Sequence, residues 1–189
     1  MRDFLLSRIA TDAVKISAEG FKLSWGFPDP MYIDCRSALS DPDTLYAAGH
    51  CMYQEIQPEV ERVAGVAIGG YPLACAASIL SAVRDRPLPW LMIRKAPKKH
   101  GTGLTIEGEY LAFDRVCIVE DVVTTGQSVL GAIQMCKAAG LEVVQVLTLI
   151  DRQFGGLYEI QKLLPRAKVS SIFNKNDILA YRAHNGLTD

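Results

Sequence analysis

Two kinds of apolar spacing alternate along most of the chain after residue 40. Almost continuous apolar runs of strand length are separated by segments in which apolar residues recur with helical spacing. This alternation is typical of a mostly parallel sheet that helices cover on both faces, so we predict an α/β fold. Ligands of such sheets bind beyond the carboxyl ends of the strands. The predicted strands are 63–68, 89–94, 115–119, 143–150 and 169–173, and the predicted helices are 42–56, 72–83 and 128–139.

The first forty residues follow a less regular pattern. Apolar residues over 4–16 have helical spacing, which predicts an amphipathic helix that ends near Gly20. Residues 21–37 then predict a strand, a proline-rich turn and a second strand over 31–35. These elements precede the regular alternation and do not extend it.

Length, charge and cysteine usage narrow the class of protein. A chain of 189 residues predicts a single domain over 1–189. Its 20 Lys and Arg residues nearly balance 21 Asp and Glu residues, which argues against nucleic acid as a partner. No apolar run approaches the roughly 20 residues that span a bilayer, and no signal peptide is recognisable at the start. The five cysteines form no CxxC pair, so we expect structural thiols in a reducing cytoplasm. Because no apolar run is long enough to span a bilayer, we also expect no membrane partner.

The strongest chemical signal is the string VCIVEDVVTTGQS between the strand 115–119 and the helix 128–139. Backbone N–H groups of the loop and the helix N-terminus predict an anion cradle, in which Gly126 allows a tight turn. Alone, the two acids could be a solvated loop pair and the threonines an N-cap. Because carboxylates would repel a bare phosphate but accept hydrogen bonds from vicinal hydroxyls, the implied ligand is a ribose 5-phosphate. The candidate binding residues are Glu120, Asp121, Val122, Val123, Thr124, Thr125, Gly126, Gln127 and Ser128.

The complete string resembles the phosphoribosyl diphosphate (PRPP) signature of type I phosphoribosyltransferases. In that signature an apolar strand is followed by two acids, two apolar residues, Thr-Thr-Gly and a small hydroxyl residue. The resemblance implies that all nine candidate residues bind PRPP and that Asp121 is catalytic. It also implies the fold of that family, in which residues 1–37 contribute an N-terminal helix and a small hood.

Residues 94–108, RKAPKKHGTGLTIEG, carry a second signal. A basic run alone could be a solvated face or a nonspecific anion patch. This run follows a predicted strand, is rich in glycine and resembles the catalytic loop of orotate phosphoribosyltransferases. The resemblance implies a lid that closes over the diphosphate, and a homodimer in which the loop reaches the partner's site. It implies PRPP contacts by Arg94, Lys95, Lys98 and His100, with Lys98 catalytic, and it also matches at Gly101, Glu107 and Gly108.

Two further segments concern the base that would accept the phosphoribosyl group. The sequence after Ile150, with Arg152 in Asp-Arg-x-x-Gly-Gly, resembles the family motif whose arginine contacts orotate, and we predict Thr124 and Arg152 as orotate-binding residues. Arg152 could equally be a structural salt-bridge partner, although a guanidinium suits a carboxylate or a pyrimidine carbonyl. The segment 21–36 resembles the hood of the family with three departures. Trp25 and Asp29 stand where serine is common, and Ser24 stands where some members have an orotate-contacting lysine.

The resemblance implies transfer of the phosphoribosyl group from PRPP to orotate, with Mg²⁺ carried by PRPP and with no direct protein ligand to the metal. Orotate is already a stabilised anion, so the reaction needs no strong general base. Two alternatives remain: a type I transferase for another base, and a non-catalytic regulator that senses PRPP. A regulator would need an added nucleic-acid-binding element, for which the chain has no spare residues, and this chain keeps Lys98 and His100.

Overall fold

The structure is a computed structural model that describes residues 1–22, 28–94 and 105–187. Its N-terminal part is a short helix that continues into a π-helical turn, followed by a two-stranded antiparallel ribbon and two more helices. Asp41 caps the second of these helices by accepting a hydrogen bond from the backbone N–H of Thr44 at 2.9 Å. The elements are α1 (Arg2–Arg8), the π turn (Ile9–Ala13), β1 (Val14–Lys22), β2 (Pro28–Ile33), α2 (Cys35–Leu39) and α3 (Pro42–Glu55).

A six-stranded sheet forms the centre of the molecule and confirms the predicted α/β fold. Its order is β5-β4-β3-β6-β7-β8, and β5 is its antiparallel edge strand. The strands are β3 (Arg62–Val66), β4 (Trp90–Ile93), β5 (Ile106–Glu107), β6 (Arg115–Val123), β7 (Glu142–Asp151) and β8 (Lys168–Asn174). The helices between and after them are α4 (Gly70–Ala82), α5 (Gln127–Ala138), α6 (Gly156–Leu163) and α7 (Lys175–His184).

Both faces of the sheet are covered by helices. Along β6, Cys117 and Val119 belong to one buried apolar cluster and Ile118 belongs to the other, as the alternation of a strand requires. The first cluster includes residues of α1, α3, α4 and α7, and the second includes residues of α5 and α6. None of the helices in the described ranges is both long and apolar enough to cross a membrane.

The helix predicted over 4–16 is wrong at its C-terminal end. Helical structure ends at Ala13, and Val14 and Ile16 lie in β1, where they pair with residues of β2. The spacing of these two residues also fits the period of a strand, and the partner strand decides between the two periods. Gly20 has a φ of 75° within β1 and does not end a helix. Cys35 begins α2 and is not part of the second strand.

All five cysteines are free thiols, and four of them are buried while Cys75 is partly exposed. Burial raises the pKa of Cys136 to about 12 and raises the pKa of Cys35 and Cys117 as well. Burial raises the pKa of Cys75 as well, but Cys75 is the partly exposed member of the five, so we expect an alkylating reagent to modify it first in the native protein. Mass spectrometry of briefly labelled protein measures this order, and early labelling of Cys117 or Cys136 would contradict the packing.

Candidate active site

The sharp turn between β6 and α5 forms a depression at the carboxyl edge of the sheet. Gly126 adopts a left-handed φ of 82°, and a Cβ there would lie 3.0 Å from the carbonyl oxygen of Gly156. Glycine is therefore required at this position, and the first turn of α5 directs its free N–H groups towards the depression. Of the nine residues over 120–128 that are predicted to bind PRPP, eight line the depression: Glu120, Val122, Val123, Thr124, Thr125, Gly126, Gln127 and Ser128.

The loop after β7 is joined to this cradle through the backbone. The N–H of Gly156 donates to the carbonyl of Thr124 at 3.0 Å, and the N–H of Arg152 donates to the carbonyl of Val123 at 2.9 Å. These bonds continue the pairing of β6 with β7 beyond the strand ends. They place Arg152 beside Thr124, the two residues that the sequence predicts on the side of the base.

The two acids lie in the second half of β6 and point to opposite faces of the sheet, as neighbours in a strand do. Glu120 is buried and lines the cradle. Asp121 faces the loop after β3, where its carboxylate fills the space that a side chain at Gly69 would need. The backbone N–H of Val122 donates to the Asp121 carboxylate at 2.8 Å. The acid pair therefore links the cradle to the loop between β3 and α4.

Gly69→Ala is expected to raise the KM for PRPP roughly tenfold, because the new methyl group would overlap the Asp121 carboxylate and displace it. Gly131→Ala is the matched control, since a Cβ at residue 131 has no neighbour within 4 Å. Steady-state kinetics, with the second substrate at a saturating concentration, measures the change in the KM for PRPP. Identical KM values for the two variants would show that the position of Asp121 is unimportant for PRPP.

Arg94 is fixed at the edge of the cradle by an ion pair. Its guanidinium lies 2.8 Å from the Glu107 carboxylate, and its backbone N–H donates to Thr105 at 2.9 Å. A second shallow depression next to the cradle is lined by Arg94 together with Gln127 and Ser128. The structure thus places Arg94 next to the cradle, and its contact with PRPP stays a prediction, while Lys95, Lys98 and His100 lie outside the described residues.

Arg152 occupies a buried position between the hood and the sheet. Its side chain is 3% exposed and lies 2.7 Å from the Asp29 carboxylate, and it donates to the carbonyl of Met31 at 2.7 Å. Burial lowers the pKa of the guanidinium, and the Asp29 charge acts in the opposite direction. Arg152 therefore forms a salt bridge with Asp29, which was the alternative interpretation, while its contact with orotate stays a prediction.

Two neighbours of this pair were missed by sequence reasoning. Lys175 lies 3.8 Å from the Asp29 carboxylate and 5.7 Å from the ring of Phe154, and Arg152 lies 5.6 Å from the same ring. Nothing in the local sequence of Lys175 marks it as a site residue. It lies near Arg152 because β8, which precedes Lys175, is the neighbour of β7 in the sheet. The substitution of the usual serine by Asp29 was the one signal available.

The chain belongs to the phosphoribosyltransferase family, since residues 39–178 match the model of the phosphoribosyl transferase domain. Its curated relatives include orotate phosphoribosyltransferases. The enzyme of Synechocystis sp. is 40% identical over 86% of this chain and 83% of its own length. That of Pyrococcus abyssi is 38% identical over 89% of this chain and 93% of its own length. These matches confirm the family resemblance drawn from the two sequence motifs.

Solved structures agree with the fold. The orotate phosphoribosyltransferase of Mycobacterium tuberculosis superimposes with a TM-score of 0.78 and 28% sequence identity, covering 94% of this chain and 98% of that one. The type I phosphoribosyltransferase fold implied by the motif resemblance is confirmed by this likeness.

Proposed function

We propose that this chain transfers the 5-phosphoribosyl group of PRPP to orotate, giving orotidine 5′-monophosphate and diphosphate in pyrimidine biosynthesis. The observation that carries the proposal is the cradle at the carboxyl end of β6, where an N-terminal helix turn adjoins the carboxylate of Glu120. Phosphate suits the backbone N–H groups, and ribose hydroxyls suit the carboxylates. The names of the curated relatives support orotate as the acceptor.

The 5′-phosphate is held by the backbone of 124–128, and the ribose hydroxyls donate to Glu120 and Asp121. As diphosphate leaves the anomeric carbon, the ribose gains the character of an oxocarbenium ion, and a nitrogen of orotate attacks that carbon. The negative charge of Asp121 stabilises the positive ribose, which is the catalytic role we assign to it. The protein thus works by orienting both substrates and by excluding water.

Mg²⁺ is proposed to enter as a complex with PRPP. Within the described stretches no group of three or more His, Cys, Asp or Glu side chains could hold a metal ion. Glu120 and Asp121 are assigned to the ribose hydroxyls, so the proposal gives Mg²⁺ no direct protein ligand, which suits a hard cation that keeps most of its ligands from water and substrate. When bound, Mg²⁺ supplies positive charge to the diphosphate, and Glu120 and Asp121 hold the ribose to which that diphosphate is attached.

The basic loop completes the proposed site. Lys98 neutralises the departing diphosphate with the help of Arg94, Lys95 and His100, and the loop acts in the site of the partner subunit of a homodimer. Two exposed apolar side chains, Ile79 of α4 at 71% and Val83 directly after α4 at 78%, support a face that a second copy covers. The expected compartment of the enzyme is the cytoplasm.

Orotate-dependent release of diphosphate tests this function directly. Purified protein with PRPP and Mg²⁺ is expected to release diphosphate at a rate that rises with orotate concentration and falls to background in excess EDTA. Diphosphate release that is independent of orotate would instead indicate hydrolysis of PRPP. Absence of release at every orotate concentration would reject the proposed function.

Arg152→Ala is expected to raise the KM for orotate by tenfold to roughly a hundredfold, with a much smaller change in the KM for PRPP, because a charge-assisted contact is lost. The same substitution leaves Asp29 buried beside fewer cations, so the thermal midpoint is measured in parallel. Equal changes in both KM values would assign Arg152 a purely structural role.

A further inference from the structure

Three charged side chains and one aromatic ring form a cluster where the hood meets the carboxyl ends of β7 and β8. We call Asp29, Arg152, Phe154 and Lys175 the base-side cluster. Asp29 comes from the hood strand β2, Arg152 follows β7, and Lys175 is the first residue of α7. The two cations both lie beside the Asp29 carboxylate and beside the ring of Phe154.

The members of the cluster differ in distance and exposure. Arg152 and Asp29 are 2.7 Å apart, with side chains 3% and 6% exposed, so their charges largely cancel in a buried pair. Lys175 is farther from Asp29, at 3.8 Å, and its side chain is 25% exposed. Two cations against one carboxylate leave one net positive charge, and Lys175 is the member that presents it to solvent.

The position of Lys175 is fixed by its helix. Asn174 caps α7 by accepting from the N–H of Asp177 at 3.1 Å, and the Asp177 carboxylate accepts from the N–H of Asn174 at 2.8 Å. This reciprocal cap holds the first turn of α7 against the end of β8. The backbone of Lys175 is therefore held in place, and its side chain extends from there towards the Asp29–Arg152 pair.

We propose that Lys175 is a specificity-determining residue, which supplies the net positive charge by which this site prefers an anionic base over an uncharged pyrimidine of the same shape. The proposal rests on the base-binding part of the proposed function, because Arg152 marks the base side only if the acceptor base binds there. Arg152 can donate hydrogen bonds to a base, but Asp29 offsets its charge, so that arginine alone discriminates only weakly between an anionic and an uncharged base. Lys175 restores the charge that Asp29 removes.

Opposite charge changes in the same cluster separate this role from a structural one. Calorimetry gives the dissociation constants of orotate and of its uncharged amide, and their ratio is the selectivity for charge. Lys175→Gln is expected to lower this selectivity about tenfold, and Asp29→Asn to raise it about tenfold, since each changes one charge near the base. The double variant is expected to return close to the native selectivity, and Lys175→Arg to retain it.

Glu55→Gln is the control variant, because Glu55 forms an exposed ion pair with Lys168 at the opposite end of the sheet. Its selectivity is expected to equal that of the native protein. If the cluster were purely structural, each single variant would weaken the binding of orotate and of its amide equally. That result would overturn the proposal. If Asp29→Asn does not fold, the contrast between Lys175→Gln and Lys175→Arg decides alone.

Failure of the proposed function and failure of the proposed role of Lys175 give different experimental results. A native protein that prefers orotate to its amide, but forms no nucleotide from it, would reject the proposed function and leave the role of Lys175 standing. A native protein that forms orotidine 5′-monophosphate, with a selectivity unchanged by Lys175→Gln, would reject the role of Lys175 and leave the function standing.

Discussion

Lys98→Ala is expected to lower kcat about a thousandfold, while the KM for PRPP changes less than about tenfold. The negative charge on the departing diphosphate oxygen grows towards the transition state, so a cation beside it contributes more to the transition state than to the bound substrate. Lys99→Ala removes a neighbouring charge that the family pattern does not include, and it serves as the matched control. Steady-state kinetics of the two variants measures the difference.

A mixed dimer tests whether the loop acts across subunits. Chains carrying Lys98→Ala and chains carrying both Glu120→Gln and Asp121→Asn are each expected to be nearly inactive. Equilibrated mixtures are expected to regain activity, because a heterodimer would contain one site built from two intact halves. Verified heterodimers that stay inactive would reject the loop exchange, and equal kcat values for the Lys98 and Lys99 variants would reject the catalytic role of Lys98.

The double variant Glu120→Gln with Asp121→Asn is expected to weaken PRPP binding more than about a hundredfold. Each substitution converts a charge-assisted acceptor of a ribose hydroxyl into a neutral one, at a cost of about 1.5–3 kcal/mol per hydrogen bond. Folding is expected to persist, since the backbone pairing of β6 with β7 does not depend on these side chains.

Titration with PRPP in the presence of Mg²⁺ measures this effect. Glu142→Gln is the control, because Glu142 is an exposed acid at the opposite end of β7. If the double variant bound PRPP as tightly as the control, the assignment of the ribose to the acid pair would be wrong.

The central sheet and the cradle could be predicted because their signals are local. Apolar runs gave the parallel strands, and the turn at Gly126 follows from residues adjacent in sequence. The end of β6 was predicted at Val119 because the two acids interrupt the apolar run. The strand continues to Val123, since Glu120 and Val122 are paired with residues of β7.

On the base side, Thr124 and Arg152 were predicted from sequence, but their neighbours were not, because those contacts join distant parts of the chain. Asp29 and Arg152 are 123 positions apart, and Lys175 joins them only after β7 and β8 lie side by side. The acid at position 29 was visible as a departure from the family pattern, but not its neutralisation by two cations. The helices α6 and α7 were also missed, since with 8 and 10 residues they are shorter than the window over which a helical period is recognised.

Identification of the nucleotide that the enzyme makes tests the central claim most directly. The protein is incubated with PRPP, Mg²⁺ and an equimolar mixture of orotate, uracil, adenine, guanine and hypoxanthine, and the products are identified by mass spectrometry. The account predicts that orotidine 5′-monophosphate is the dominant product. A purine nucleotide or uridine 5′-monophosphate as the dominant product would contradict it.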